Sequence, residues 1–233
     1  MTAPGSSRPF RHFHEELTKL KERLLYMSRR AEETIDLAVD SLIARDAGKA
    51  HAVIEADVEL NRLEVELEQR GIELLALQQP MATDLRFIIG AIKISNDLER
   101  VGDHAVNIAE SCLKLLEQDD FPPMCPEIPE MARRARKMLG DSLDAFISSD
   151  GSLGRAVCAA DDDVDALHDS VFRIMLTHMM EDPRTITPSL ELLLVSRNLE
   201  RVADLATNIG EDAVYLAEGK LIKHHAEDVT TAR

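Results

Sequence analysis

The chain has 233 residues, 27 basic and 43 acidic, for a formal net charge of -16, with 45% hydrophobic and 3% aromatic residues and no Trp. This length and apolar share support one large packed domain or two small ones and argue against wholesale disorder. The acidic balance repels phosphate backbones and anionic lipid, so no nucleic-acid partner is expected, and no apolar stretch approaches the roughly 20 residues that span a bilayer.

Leu, Ala, Glu, Met and Arg abound while aromatic and β-branched residues are scarce, which predicts helices rather than sheets. Residues 1–10 read as a flexible start. Leu17, Leu20, Leu24, Met27, Ala31, Thr34, Ala38 and Leu42 then recur every three or four positions, the stripe of a long amphipathic helix that Gly48 is expected to end. A second helix runs from about Lys49 to Gln79, with Leu60, Leu63, Leu67 and Leu74 in one row until Pro80 stops it. In a third, Thr83 is the expected N-cap and Leu85, Ile88, Ile92, Ile94 and Leu98 begin a face that runs to about Glu117. The segment DDFPPMCPEIP, residues 119–129, holds four prolines and cannot continue a helix, so it reads as a linker. Three more helices follow: Glu130 to Ser148, Ser152 to Met180 after a turn at Asp150 and Gly151, and a last one that ends at Gly219 beyond a Pro183–Pro188 break. Met175, Met179 and Met180 read as core filler.

SNDLERVGDHAVNIAE at 95–110 aligns without gaps to SRNLERVADLATNIGE at 196–211, identical at ten of sixteen positions. The preceding helices align more weakly, Asp57 with Asp161 and Asn61 with Asp165. The expected fold is therefore all-α: two tandem homologous three-helix bundles of up-down helices, spectrin-repeat-like, at 11–118 and 130–219, with a tail at 220–233. The start MTAPGSSRPFRHFH has no signal-peptide apolar region, and the three cysteines form no CxxC spacing. A reducing, cytoplasmic setting follows as the expectation.

At about 100° per residue, Asn96, Glu99, Asp103, Asn107 and Glu110 share one side of the third helix, turned away from its apolar stripe. Residues four apart lie about 5–6 Å from each other at Cβ, so Glu99 and Asp103 could grip one cation or bridge two. Asp57, Asn61 and Glu64 share a side of the neighbouring helix, and the duplicate offers Asp161, Asp165 and His168 beside Glu200 and Asp204. Carboxylate oxygens suit hard divalent ions and iron alike. The same acids also fit an ordinary solvated face, in which Arg100–Asp103 or Arg197–Glu200 would be i,i+3 ion pairs worth about 0.2–0.5 kcal/mol. No phosphate-cradling GxxxxGK[ST] or GxGxxG and no GxSxG elbow is present, so no catalytic residue is assigned and the protein reads as a non-enzyme. A ferritin-like di-iron enzyme would need inward Glu-x-x-His pairs, for which Asp165 to His168 is one loose counterpart. His104 has Leu205 as its counterpart and reads as a surface residue, and His224 and His225 in the tail read as incidental.

With LLALQQPMATDLRFI ahead of LERVGDHAVNIAE and with LERVADLATNIGEDAVYLAEG in the duplicate, the chain resembles the PhoU family, the phosphate-specific transport system accessory proteins, from about Leu17 to Gly219. The resemblance implies PhoU-like paired bundles and a cytoplasmic negative regulator of the phosphate-starvation response that modulates phosphate uptake. It implies as partners the ATPase subunit of the phosphate ABC transporter and a sensor histidine kinase, with membrane association only through them. It also implies metal ions on the bundle surface (iron, zinc, manganese or magnesium) held by Asp57, Glu99 and Asp103 in the first unit and by Asp161, Asp165, Glu200 and Asp204 in the second. Asn61 stands where the second unit has Asp165, and it can still ligate through its carbonyl oxygen. The second site is accordingly expected to bind more tightly. The role of Arg86 and the existence of a homodimer are left open, and a di-metal carboxylate enzyme or a metal-free helical scaffold are the competing readings.

Overall fold

The computed structural model describes residues 8–78, 80–118 and 123–222, with side chains from residue 12 onward. Its helices are α1 (Arg8–Ala44), α2 (Ala47–Gln78), α3 (Ala82–Leu116), α4 (Glu127–Ser148), α5 (Gly151–Glu181) and α6 (Ile186–Glu218), with a 3₁₀ turn at Pro183–Thr185, and no strand occurs among the described residues. The first helix thus starts before residue 11 and the fourth before residue 130, and residues 1–7 and 223–233, with His224 and His225, lie outside the described residues.

The stripes read from the sequence form the core, except that Leu85, in the first turn of α3, is 38% exposed and Ile92 is half-buried. Leu20, Leu24, Met27, Ala31, Ala38 and Leu42 of α1 meet Leu60, Leu63 and Leu67 of α2 and Ile88, Ile94 and Leu98 of α3, all essentially inaccessible to solvent. Of the three methionines expected in the core, Met175 is buried and Met179 half-buried, but Met180 is 79% exposed because it lies on the outer side of the last turn of α5.

Helix α1 is stopped by Arg45, which takes a left-handed φ of 54°, and Asp46 then caps α2 by accepting from the amides of Gly48 and Lys49 at 2.8 and 3.2 Å. Gly48 therefore sits in the first turn of α2. The duplicate repeats the device: Ser149 at φ 55° stops α4, and Asp150 accepts from Ser152 and Leu153 at 2.9 and 3.0 Å. Thr83 is not a cap, since α3 starts at Ala82 with Met81 in the cap position and no side-chain hydrogen bond. Pro188 does not break α6 either, because it falls in the first turn, where a missing N–H costs nothing.

The two units share one hydrophobic core. Phe146 of α4 stacks on Phe87 of α3, with centroids 5.0 Å apart, and fills the space over Gly90, where an added Cβ would lie 2.6 Å from its ring. Helices α3 and α6 run antiparallel across the junction. Lys93 faces Asp212 at 3.7 Å, Lys114 faces Glu191 at 3.9 Å, and His104 Nδ1 lies 2.9 Å from Asn198 Oδ1 between them. The half-buried His104 is thus a junction residue, not a surface one. Arg86 also finds its place here: its guanidinium lies 6.0 Å from the ring centroid of Tyr215 and against Gly219, at the C-terminal end of α6. A cation there complements the helix dipole.

Candidate functional site: the paired acidic faces

In each unit the second and third helices run antiparallel in close contact, and small residues set how close. An added Cβ at Gly102 would lie 2.7 Å from Leu60 Cδ1 and 3.1 Å from Asp57 Oδ1, so Gly102 of α3 makes room for Asp57 of α2. In the second unit Gly154 and Gly210 bring the α5 and α6 backbones together, with an added Cβ at Gly154 only 2.6 Å from the Gly210 carbonyl oxygen.

This approach gathers the expected residues into two faces. In the first, Asp57 is half-buried and accepts from Asn61 Nδ2 at 2.8 Å, with Glu99, Glu64 and the exposed Asp103 around it. Burial first, and then the charge of Asp103, holds the Asp57 carboxyl above the usual carboxylate range, against the Asn61 hydrogen bond that lowers it. Glu99 is raised by burial and by Asp103, Glu64 and Asp57. In the second face burial, followed by the charges of Asp165 and Asp204, pushes Asp161 up to about 6, and burial and Asp204 raise Asp165. Asp57 Oδ1 and Asp161 Oδ1 are both buried without a hydrogen-bond partner, and they are the same atom in the two copies.

Some residues fall elsewhere. Asn107 donates across the junction to Asn198 Oδ1 at 3.3 Å, and Asn208 lines an open cleft of about 440 Å³ with Glu64, Lys93, Asn96 and Asp212. The duplicated asparagine therefore serves the meeting of the two units. His168 turns to Ser196 Oγ at 3.1 Å. The arginine pairs also differ from expectation, although every pair concerned is three residues apart: Arg100 approaches Asp97 at 4.0 Å, and Arg201 binds Asp204 at 2.8 Å. Among the described residues no three His, Cys, Asp or Glu side chains converge closely enough to hold a metal ion as they stand.

The Asp-and-Asn pattern on paired helices, its duplication and its matching orphan oxygens invite comparison with known proteins. The family model of the PhoU domain matches twice, at residues 24–112 and 128–213. The chain belongs to the PhoU family. A PhoU homolog of Aquifex aeolicus, named a phosphate-specific transport system accessory protein, is 41% identical over 212 residues, covering 90% of this chain and 95% of the relative. The Pseudomonas putida homolog of the same name is 37% identical, covering 91% and 83%. The crystal structure of PhoU from Pseudomonas aeruginosa superposes with a TM-score of 0.85 at 36% identity, covering 89% of this chain and all of that one. A phosphate transport system regulatory protein PhoU from Streptococcus pneumoniae gives 0.83 at 30% identity, covering 91% and 99%. The PhoU fold, with its two copies of the domain, is thus the fold of this chain. No helix among the described residues is long and apolar enough to cross a membrane.

Proposed function

We infer that this PhoU protein is a non-enzymatic, cytoplasmic negative regulator of the phosphate-starvation response and a modulator of phosphate uptake. In this reading it couples the ATPase subunit of a phosphate ABC transporter to a sensor histidine kinase. Membership of a family whose relatives are named accessory and regulatory proteins of phosphate transport supports it. An adaptor of this kind works by binding two states of a partner unequally, since equal affinity shifts no equilibrium.

We extend the reading to metal. The observation that carries this is the pair of buried, unpartnered oxygens, Asp57 Oδ1 and Asp161 Oδ1, each among further carboxylates whose mutual repulsion a cation would relieve. Asp57, Asn61, Glu99 and Asp103 would hold it in the first unit, and Asp161, Asp165, Glu200 and Asp204 in the second. Oxygen donors accept iron, zinc, manganese or magnesium, and the bound ion would supply neutralising charge and a fixed face. The carboxylates would have to swing together, and Asp204 would have to leave Arg201. Those two requirements favour, as a second reading, a metal-free adaptor with the same faces.

The test is alkaline phosphatase activity in the source organism grown in abundant phosphate. High activity on deletion of the gene, restored to low by the intact gene, is expected. Unchanged low activity in the deletant would overturn the regulator reading.

A further inference from the structure

Half of the large apolar side chains left in solvent fall on two corresponding faces. On α5 the outward row through Asp161, Asp165 and Asp169 continues into Phe172 and Leu176, and on the antiparallel α6 the row through Asp204 and Arg197 continues back into Leu194, Leu190 and Ile186. The first unit repeats three of these positions, with Ile72 the counterpart of Leu176, Leu85 of Ile186 and Ile89 of Leu190. The exposure of these six runs from 38% at Leu85 to 54% at Ile72. Each unit therefore carries one outer face, acidic at one end and apolar at the other. Exposed aliphatic residues kept at the same three places in both copies mark a contact surface rather than scattered surface residues.

Charge decides among occupants. A second copy laid parallel on this face would bring acidic end onto acidic end, one laid antiparallel would press each acidic end against apolar side chains that leave its carboxylates unpaired, and anionic lipid or nucleic acid meets the same carboxylates. Arg197 and Arg201 leave the second unit's end net negative against Asp161, Asp165, Asp169, Glu200 and Asp204. From Asp161 to Leu176 is 15 residues of helix, roughly 22 Å, which a partner helix of about the same length would match. We propose that this face of each unit is a docking surface for an amphipathic helix of a partner protein, basic in one half and apolar in the other. The proposal rests on the adaptor reading for the existence of a partner and on the surface alone for its chemistry.

The probe is a fluorescein-labelled 18-residue helical peptide with Lys in one half and Leu in the other half of a single face, titrated by anisotropy against the full chain in chelator and low salt. Saturable binding is expected, weakened at least tenfold by Leu176→Ser with Leu190→Ser, by Asp165→Asn with Asp204→Asn, and by added salt. Asp169→Asn, at the junction of the two ends, replaces the Leu variant if that one loses helicity by circular dichroism, with at least a threefold loss expected. Binding unchanged within twofold in these variants, or equal binding of an isomeric peptide with Lys and Leu interspersed, would overturn the proposal. So would a Leu variant that loses self-association or binding to phosphatidylserine vesicles while still binding the peptide. Failed peptide binding with phosphate repression intact removes the docking face and leaves the regulator reading. Peptide binding by a chain whose deletion leaves repression unchanged does the reverse.

Discussion

Asp57 and Asp161 each keep one carboxylate oxygen out of water beside other acids, and both titrate high for that reason. A carboxyl whose folded pKa is raised binds its proton more tightly in the native state than in the unfolded one. It therefore adds stability below its ordinary value, and that contribution is lost as pH rises through the folded value. For Asp161 the window runs from its ordinary 3.8 to about 6. Without metal the protein should be more thermally stable at pH 5 than at pH 7 relative to Asp161→Asn. The substitution should stabilise it at pH 7 by about 1 kcal/mol after allowance for solvent screening. Thermal melts of both proteins in chelator check this, and an Asn variant less stable at pH 7 would show that the carboxylate is held by partners after all. Adding a divalent ion should reverse the order, because the ion rewards the charged form of the wild type alone. The acids themselves were legible in the sequence, since duplication marked them. The orphan oxygens were not, because they depend on how close α2 and α5 approach their neighbours, which no spacing reveals.

At the scale of elements, close helix contact is set by glycines whose neighbours differ in stiffness. An added methyl at Gly154 meets the Gly210 backbone carbonyl, which can move only if α5 and α6 separate. Gly154→Ala should therefore cost about 1–3 kcal/mol in spite of the better helix propensity of Ala. At Gly102 the obstacles are the ends of two side chains, Leu60 and Asp57, and the duplicate already has Ala203, so Gly102→Ala should cost under about 1 kcal/mol. Urea midpoints of the two variants measure the difference, and equal losses would contradict the packing argument. The first three helices could be read from their apolar stripes, because long amphipathic helices repeat their period many times, and the last three from the breaks between them and the internal repeat. Their ends could not. Arg45 and Ser149 are left-handed without being glycine, and Gly48, the obvious breaker, lies inside a helix because Asp46 caps ahead of it.

At the scale of the whole molecule, the duplication reads as two bundles in the sequence, but the structure makes one core of them. Phe146 enters the first unit's α3 at Phe87 and Gly90, and Arg136 of α4 reaches Asp36 of α1 at 3.1 Å. Phe146→Ala should cost about 3–5 kcal/mol and lower one shared unfolding transition, where independent bundles would give two. Calorimetry distinguishes the outcomes. The sequence could not show this junction, because His104, Asn198, Lys93 and Asp212 come from different copies and break the repeat instead of following it. The same duplication places an acidic face on each unit, and we propose that repression runs through those faces. The most direct test is alkaline phosphatase activity, in abundant phosphate, of a deletant carrying Glu200→Ala with Asp204→Ala at normal protein level. These side chains are partly solvent-exposed, so the variant should fold with unchanged helicity and yet leave the enzyme activity high. Full repression by that folded variant would contradict the account.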